Sequence, residues 1–309
     1  MQRTLLTSSA TQTRVETPLH KELRASRSRF DVLREMPILI KLCVMILFLF
    51  VLVGGLAPIL APHSPTKQIL VARLTPPIGA ATGSWTRPFG TDQLGRDILS
   101  RLIYGTRISL SIGLFGMVFG LILGTSIGLI SGFVGGIIDD VLMFLVDTQL
   151  AIPYIIVALT GLAIFGTNLI VLMLLVGIAG WESYARLARG MVLSARGYPY
   201  ILSAYSIGAS RGRVLLRHIL PNIVAPLIVL ATFQLTSIIL LESSLSFLGI
   251  GVQPPTASWG SMVGAGRDYL NTAWWIAVFP GLAIIIVTMA VSLFGDWLRD
   301  ALDPTLRSR

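Results

Sequence analysis

Long unbroken apolar stretches constrain this chain more than any other feature. Residues 38–61 and 222–241 each approach or exceed the length of about 20 residues that crosses a bilayer as a helix, and Lys41 is the one charge between them. Strands of a membrane β-barrel alternate apolar and polar over roughly ten residues. These runs do not alternate, so they predict an all-α integral membrane protein. The charge content agrees: 13% of residues are charged, about half the quarter usual in soluble chains.

Other compositional facts narrow the class further. The one cysteine, Cys43, falls inside the first apolar run, so no intrachain disulfide is available. It reads as a small buried hydrophobe. The net charge is +9. No basic run is interleaved with base-stacking aromatics, so the excess reads as cytoplasmic loop bias and not as a nucleic-acid surface. The first apolar run is too long for a cleaved signal core of about 7–15 residues and follows an arginine-bearing tail. That tail, residues 1–36, is expected to be cytoplasmic, and residues 31–35 to begin an amphipathic helix leading into the membrane.

Six spans are predicted, at about 38–60, 108–132, 139–165, 168–187, 222–246 and 274–296. Asp139, Asp140 and Asp147 load the first half of the third. Arg186, Arg189, Arg196, Arg211, Arg213 and Arg217 fall on the side of the N-terminal tail. Loop 61–107 carries fewer basic residues over a comparable length, and the loop between the last two spans only Arg267. The bias places both termini, including the end 306–309, in the cytoplasm.

Loop 61–107 opens with Pro62, Pro65, Pro76, Pro77 and Pro88, which favour extended or turned backbone. In residues 91–105, Leu94, Ile98, Leu99, Leu102 and Ile103 share one helical face. That predicts a helix lying in the outer interface or packed on a neighbouring subunit, with Asp97 and Arg101 paired at i,i+4 and Gly105 as its cap. In the second span Gly116, Gly120, Gly124, Gly128 and Gly132 recur every four residues. Such a row lets another backbone approach closely, so this helix is expected to be the tightest-packed of the chain.

Nucleotide and enzyme sites find no support. A P-loop needs Gly-Lys-Ser/Thr, but Lys21, Lys41 and Lys67 follow His20, Ile40 and Thr66. His20, His63 and His218 all lie outside the predicted spans, which leaves an intramembrane Ser–His or metal site without a histidine. Within the spans, Glu242 and Asp147 are the candidates for a pathway or gating role. Glu182 and Arg186 read as a structural i,i+4 pair. An ion-coupled secondary transporter is the alternative of a different class. It would need midplane ionisable groups and often internal repeats, and no convincing repeat is present.

The long inner loop, 188–221, reads as two short helices at an angle. Gly197 breaks the chain, Pro199 opens a helical turn, Gly208 turns, Ser210 caps, and Pro221 punctuates entry into the next span. The segments LSAYSIGAS (202–210) and HILPN (218–222) resemble the EAA loop of ABC-importer permeases. Ala204, Gly208, Leu220 and Pro221 fit that pattern, and Ile219 is offset by one. The family's leading glutamate is Leu202 here and its first alanine Ser203, so the helix–turn–helix shape carries over and the charge contact does not. FGTDQLGRDILSRLIYG (89–105), ESSLSFLGIG (242–251), Trp259-Gly260 and GDWLRDALDP (295–304) resemble the dipeptide/oligopeptide-type permeases, in particular the C-type subunit.

The resemblance covers about residues 38–305. It implies the type I ABC-importer permease fold over 37–305, six spans with a cytoplasmic coupling loop at 188–221. It also implies a non-catalytic subunit, with ATP and magnesium bound by partner chains and no cofactor of its own. The implied partners are a homologous B-type permease, two ABC ATPases, an extracytoplasmic substrate-binding protein and the lipid bilayer, and no nucleic acid. The membrane would be the cytoplasmic membrane of a bacterium or archaeon. Coupling to the ATPase would run through Leu202, Ser203, Ala204, Gly208, Ile219, Leu220 and Pro221. Relatives of this type carry short peptides, nickel chelates, glutathione or sugars, so the solute stays open between them, with peptides first.

Overall fold

A computed structural model describes residues 36–80 and 82–302. The tail expected at 1–36 (but for Met36), its helix at 31–35 and the C-terminal end 306–309 lie outside the described residues. The described chain is helical. Its one strand-like feature is an isolated bridge between Thr91 and Asp97.

Ten helices organise the fold: α1 (Ile38–Gly55), α2 (Ile98–Val134), α3 (Gly136–Ala151), α4 (Tyr154–Phe165), α5 (Leu169–Ile178), α6 (Trp181–Arg196), α7 (Pro199–Ser206), α8 (Arg211–Phe247), α9 (Trp259–Gly266) and α10 (Trp275–Leu302). Five runs are long and apolar enough to cross a membrane: α1, α2, α5 with α6, α8 and α10. A sixth exists if α3 and α4 are counted as one span. Large apolar side chains such as Phe48, Ile122, Phe144 and Met289 point outward, at 60–68% exposure. Lipid, not water, suits that surface.

The third span is bent by 92° between α3 and α4. Pro153 has no N–H to continue the helix and disfavours the helical conformation of the residue before it. Ile152 is accordingly extended, at φ −99° and ψ 125°. The single span expected over 139–165 is therefore two helices. The fourth span, expected at 168–187, runs on through α6 to Arg196, with an interruption at Gly180, whose φ is +84°.

The outer segment departs from expectation at its second half. No separate helix covers 91–105; α2 begins at Ile98 and passes straight into the membrane. Asp92 explains the late start. Its Oδ1 accepts the N–H groups of Leu94 and Arg96, each at 2.9 Å, and this side-chain turn competes with helix. Asp97 then caps α2 by accepting the Ser100 N–H at 2.8 Å. The expected Asp97–Arg101 pair is absent; Asp97 Oδ2 takes the Ser100 N–H and hydroxyl. Arg101 instead lies 3.6 Å from Asp92, which also binds Arg96 at 2.6 Å. Gly105 is no cap but a buried mid-helix position beside Trp259.

The glycine row performs the expected packing. A Cβ on Gly124 or Gly128 would overlap the carbonyl oxygen of Trp181 or Ala185, and one on Gly132 would lie 2.9 Å from Val192 Cβ. Gly120 faces the Gly177 carbonyl, and Gly116 faces Ile238 and Val176. Two backbones, α2 and α6, thus touch along a seam that no larger residue permits. At 37 residues α2 is about 55 Å long, more than the hydrocarbon core of a bilayer.

Candidate coupling surface and buried polar sites

Tyr198 precedes α7 and Pro199 opens it, where a missing N–H costs nothing. One face of α7 is anchored. Ile201 is fully buried and Ala204 is 7% exposed, in a cluster with Val192, Val214, Ile219 and Ile223. The opposite face is bare: Leu202 is 55% exposed and Ile207 86%, with Tyr198, Tyr200 and Tyr205 beside them. Ser203 is exposed, its hydroxyl donating to the Pro199 carbonyl. Gly208 reverses the chain at φ +85°, and a Cβ there would meet no neighbour within 4 Å. Its need for glycine is therefore conformational, not steric.

The seven expected coupling residues thus separate. Leu202, Ser203 and Gly208 lie on the open surface, with Pro221 also exposed. Ala204 and Ile219 belong to the core beneath, and Leu220 is partly buried against it. The second short helix expected after Ser210 is not separate. Arg211–Phe247 is continuous, through a widened turn at Leu215–Ile219. Pro221 brings no N–H to the helix ladder, and the wide turn just before it accommodates the lost bond. Arg211, Arg213 and Arg217, which follow α7 in the chain, are exposed.

Two ion pairs tie α3 to α6. Arg189 binds Asp139 through two nitrogens, each at 2.7 Å, and Ser131 donates to the same carboxylate. Arg186 binds Asp147 at 2.6 Å. The expected Glu182–Arg186 pair is therefore not the contact made. Asp147 on α3 takes the guanidinium, while Glu182 lies in the first turn of α6, where a carboxylate suits the helix dipole. Arg186 and Asp147 are more than half exposed. A charged pair in a membrane span is costly against lipid, so this face is turned to water or to another subunit.

Glu242 is placed differently. It is 1% exposed, accepts a hydrogen bond from Ser246 at 2.7 Å, and has Ser109, Ser243 and Ser258 around it. It lies where α2, α8 and α9 meet, so Asp147 and Glu242 do not share a site. The surrounding glycines explain the second motif: a Cβ on Gly260 would come within 2.5 Å of Ser243 Cα, and one on Gly264 within 3.1 Å of Phe247 Cα. Glycine thus lets α9 lie directly on the end of α8. The Ser109 hydroxyl accepts the Trp259 N–H at 3.1 Å and fastens that end to α2.

Sequence reasoning did not single out Gln149 or Gln234, which with Glu182 line a cavity beside the breaks at Pro153 and Gly180. Polar residues inside apolar runs were the available signal.

The profile of the binding-protein-dependent transport system inner membrane components matches residues 116–308. The chain belongs to this family. It is 42% identical over 262 residues to the di/tripeptide transport system permease protein DppC of Pseudomonas aeruginosa, covering 85% of this chain and 86% of that one. It is 46% identical over 248 residues to the dipeptide transport system permease protein DppC of Escherichia coli K12, covering 80% and 83%. The Bacillus subtilis DppC is 37% identical over 263 residues, covering 85% and 80%. Among solved structures, a chain of the inward-facing MetNI methionine ABC transporter superposes with a TM-score of 0.54 at 17% identity. That match covers 67% of this chain and 98% of the other, and at such identity it speaks for the fold. The protein is thus a permease subunit of a binding-protein-dependent ABC importer, an all-α inner-membrane component with five or six crossing helices. Permeases of this kind work with a solute-binding protein and an ATPase.

Proposed function

We propose that this permease forms one half of the translocation path of an importer for di- or oligopeptides, paired with a homologous B-type permease. Two ATPases on the cytoplasmic side bind ATP and magnesium and dock on α7, and an extracytoplasmic binding protein delivers the solute. The chain catalyses nothing itself. Both termini lie in the cytoplasm, on the same side as α7.

The observation that carries the coupling role is the two-sided character of α7. Ile201 and Ala204 fix it to the core that also holds α6 and α8, while Leu202, Tyr205 and Ile207 are exposed. A short helix anchored on one side and apolar on the other transmits displacement from whatever covers it. Leu202 and Ser203 replace charge and alanine at the docking face, so the contact is apolar. Ala204 and Ile219 position the helix, and Gly208 sets its turn. The peptide assignment is supported by relatives of 37–46% identity whose names specify dipeptide or di/tripeptide transport.

Deleting residues 199–208 tests the coupling role. The expected result is loss of ATPase co-purification with undiminished insertion of the permease in the membrane. Retained co-purification at full yield rejects α7 as the docking element. Uptake of a labelled dipeptide by the reconstituted complex, dependent on ATP and binding protein, tests the solute. Uptake of nickel chelates or sugars in its place favours the corresponding importer class.

A further inference from the structure

Two of the membrane-spanning segments are broken, and both breaks open onto one cavity. Ile152 and Pro153 separate α3 from α4, and Ala179 and Gly180 separate α5 from α6; all four residues line a space of about 460 Å³. Broken helices at membrane depth are tolerated where the freed backbone is buried in protein or lines a water-filled cavity. Here part of it is satisfied by side chains. The Tyr154 hydroxyl donates to the Leu175 carbonyl. Gln234 Nε2 donates to the Gly180 carbonyl at 3.3 Å.

The lining holds one acidic side chain. Of its residues only Glu182 is ionisable to an anion at neutral pH, and no lysine, arginine or histidine joins it. That carboxylate accepts backbone hydrogen bonds at the start of α6, and its Oε2 is left without a partner. Arg186, one turn further along α6, makes its ion pair with Asp147. Gln149, Ser183 and Ser237 add neutral polar groups, and Ile238 and Leu241 form an apolar wall. The volume falls within the range of about 300–1,000 Å³ usual for small-ligand sites.

We propose that this cavity is a stopping point on the translocation path that takes the ammonium group of the passing solute against Glu182. The polar amides of Gln149 and Gln234 face the solute's peptide group, and Ile238 and Leu241 face a side chain. The assignment rests on the reading above that this chain lines a solute path, and it adds the charge selectivity of that path.

The test uses the whole transporter, this chain with its partner subunits, in nanodiscs. Cys43→Ala removes the native thiol and Ser237→Cys places one on the cavity wall. Reaction with a trimethylammonium methanethiosulfonate and a sulfonate methanethiosulfonate is timed, each normalised to its rate with a free thiol. A focused negative site raises local cation concentration by about tenfold or more, so the cationic reagent should react about tenfold faster, and Glu182→Gln should bring the two rates together. Equal rates without that substitution, a preference unchanged by it, or an unreactive Cys at 237 each overturn the proposal.

Uptake separates this failure from that of the peptide reading. In the native-cysteine complex Glu182→Gln should raise the KM for a dipeptide about tenfold while ATP hydrolysis stimulated by the binding protein is unchanged. Loss of that hydrolysis together with the assembled complex would instead make Glu182 a structural residue and sink the proposal. Charge-selective labelling without any dipeptide uptake leaves the cation site standing and removes the peptide solute. Dipeptide uptake without selective labelling does the reverse.

Discussion

The two sides of α6 meet the protein in opposite ways. Trp181, Ala185 and Val192 face the glycine row of α2, close enough that a methyl group on the row has no room. Glu182, Ser183 and Arg186, on the other side, face the cavity and the exposed pair with Asp147. The same sixteen residues therefore serve as a closed seam and as an open polar wall. The difference teaches that rigidity and access are built on one element. The seam fixes α6 against the long α2, so that the polar side is held in place although chain breaks separate α3 from α4 and α5 from α6.

Six substitutions, two of them controls, sharpen or break that contrast. Gly124→Leu should have the largest effect. Its new side chain collides with the Trp181 carbonyl and Tyr184 Cβ; overpacking of this kind costs about 1–3 kcal/mol and occasionally more, and a backbone collision belongs at the upper end. Membrane levels of the subunit should fall sharply, whereas Gly190→Leu, at a position on α6 with no neighbour within 4 Å, should leave them unchanged. Equal levels in both variants would dissolve the distinction between seam and open side.

Arg189→Ala should come next. It strands Asp139, which is 13% exposed and accepts three hydrogen bonds. Hydrogen bonds to charged groups contribute about 1.5–3 kcal/mol, so the thermal midpoint of the detergent-solubilised protein should drop by several degrees. Arg186→Ala, at the exposed pair, should lower it by far less, since exposed pairs contribute about 0–1 kcal/mol. A larger loss from Arg186 than from Arg189 would reverse the assignment of which pair is structural.

Tyr154→Phe removes the hydroxyl that reaches the Leu175 carbonyl, at a cost of about 1 kcal/mol. Its thermal midpoint should move slightly and its cavity labelling hardly at all. The smallest effect is expected of Leu202→Glu, which places the family's acidic residue on the exposed face of α7. Stability should change by less than about 0.5 kcal/mol, leaving any change in ATPase co-purification attributable to the contact itself.

How much was legible in advance differs between these regions for physical reasons. The seam was legible because a glycine row at fixed spacing has one structural use. It says where a backbone can approach, although not which one. The coupling helix was legible because Pro199 and Gly208 punctuate it, and Pro199 and the φ of +85° at Gly208 carry out those roles. The start of α2 was misread because Leu94, Ile98 and Leu102 give the period of a helix, while the Asp92 side chain takes the N–H groups that a helix there would need free. The Glu182–Arg186 spacing was equally suggestive. It lost to Asp147, thirty-nine residues from Arg186 in the chain, because pair spacing along one helix carries no information about its neighbour.

The sequence by itself determined the solvent, the helical class and the face that must pack closely. These follow from apolar run length and glycine spacing, properties of residues near one another in the chain. Tertiary structure alone decided that the two breaks face one cavity, that Glu182 lines it, and that Glu242 is sealed among serines. Those outcomes depend on which helices lie side by side, and in spans apolar on most of their faces the hydrophobic pattern does not choose among the possible neighbours.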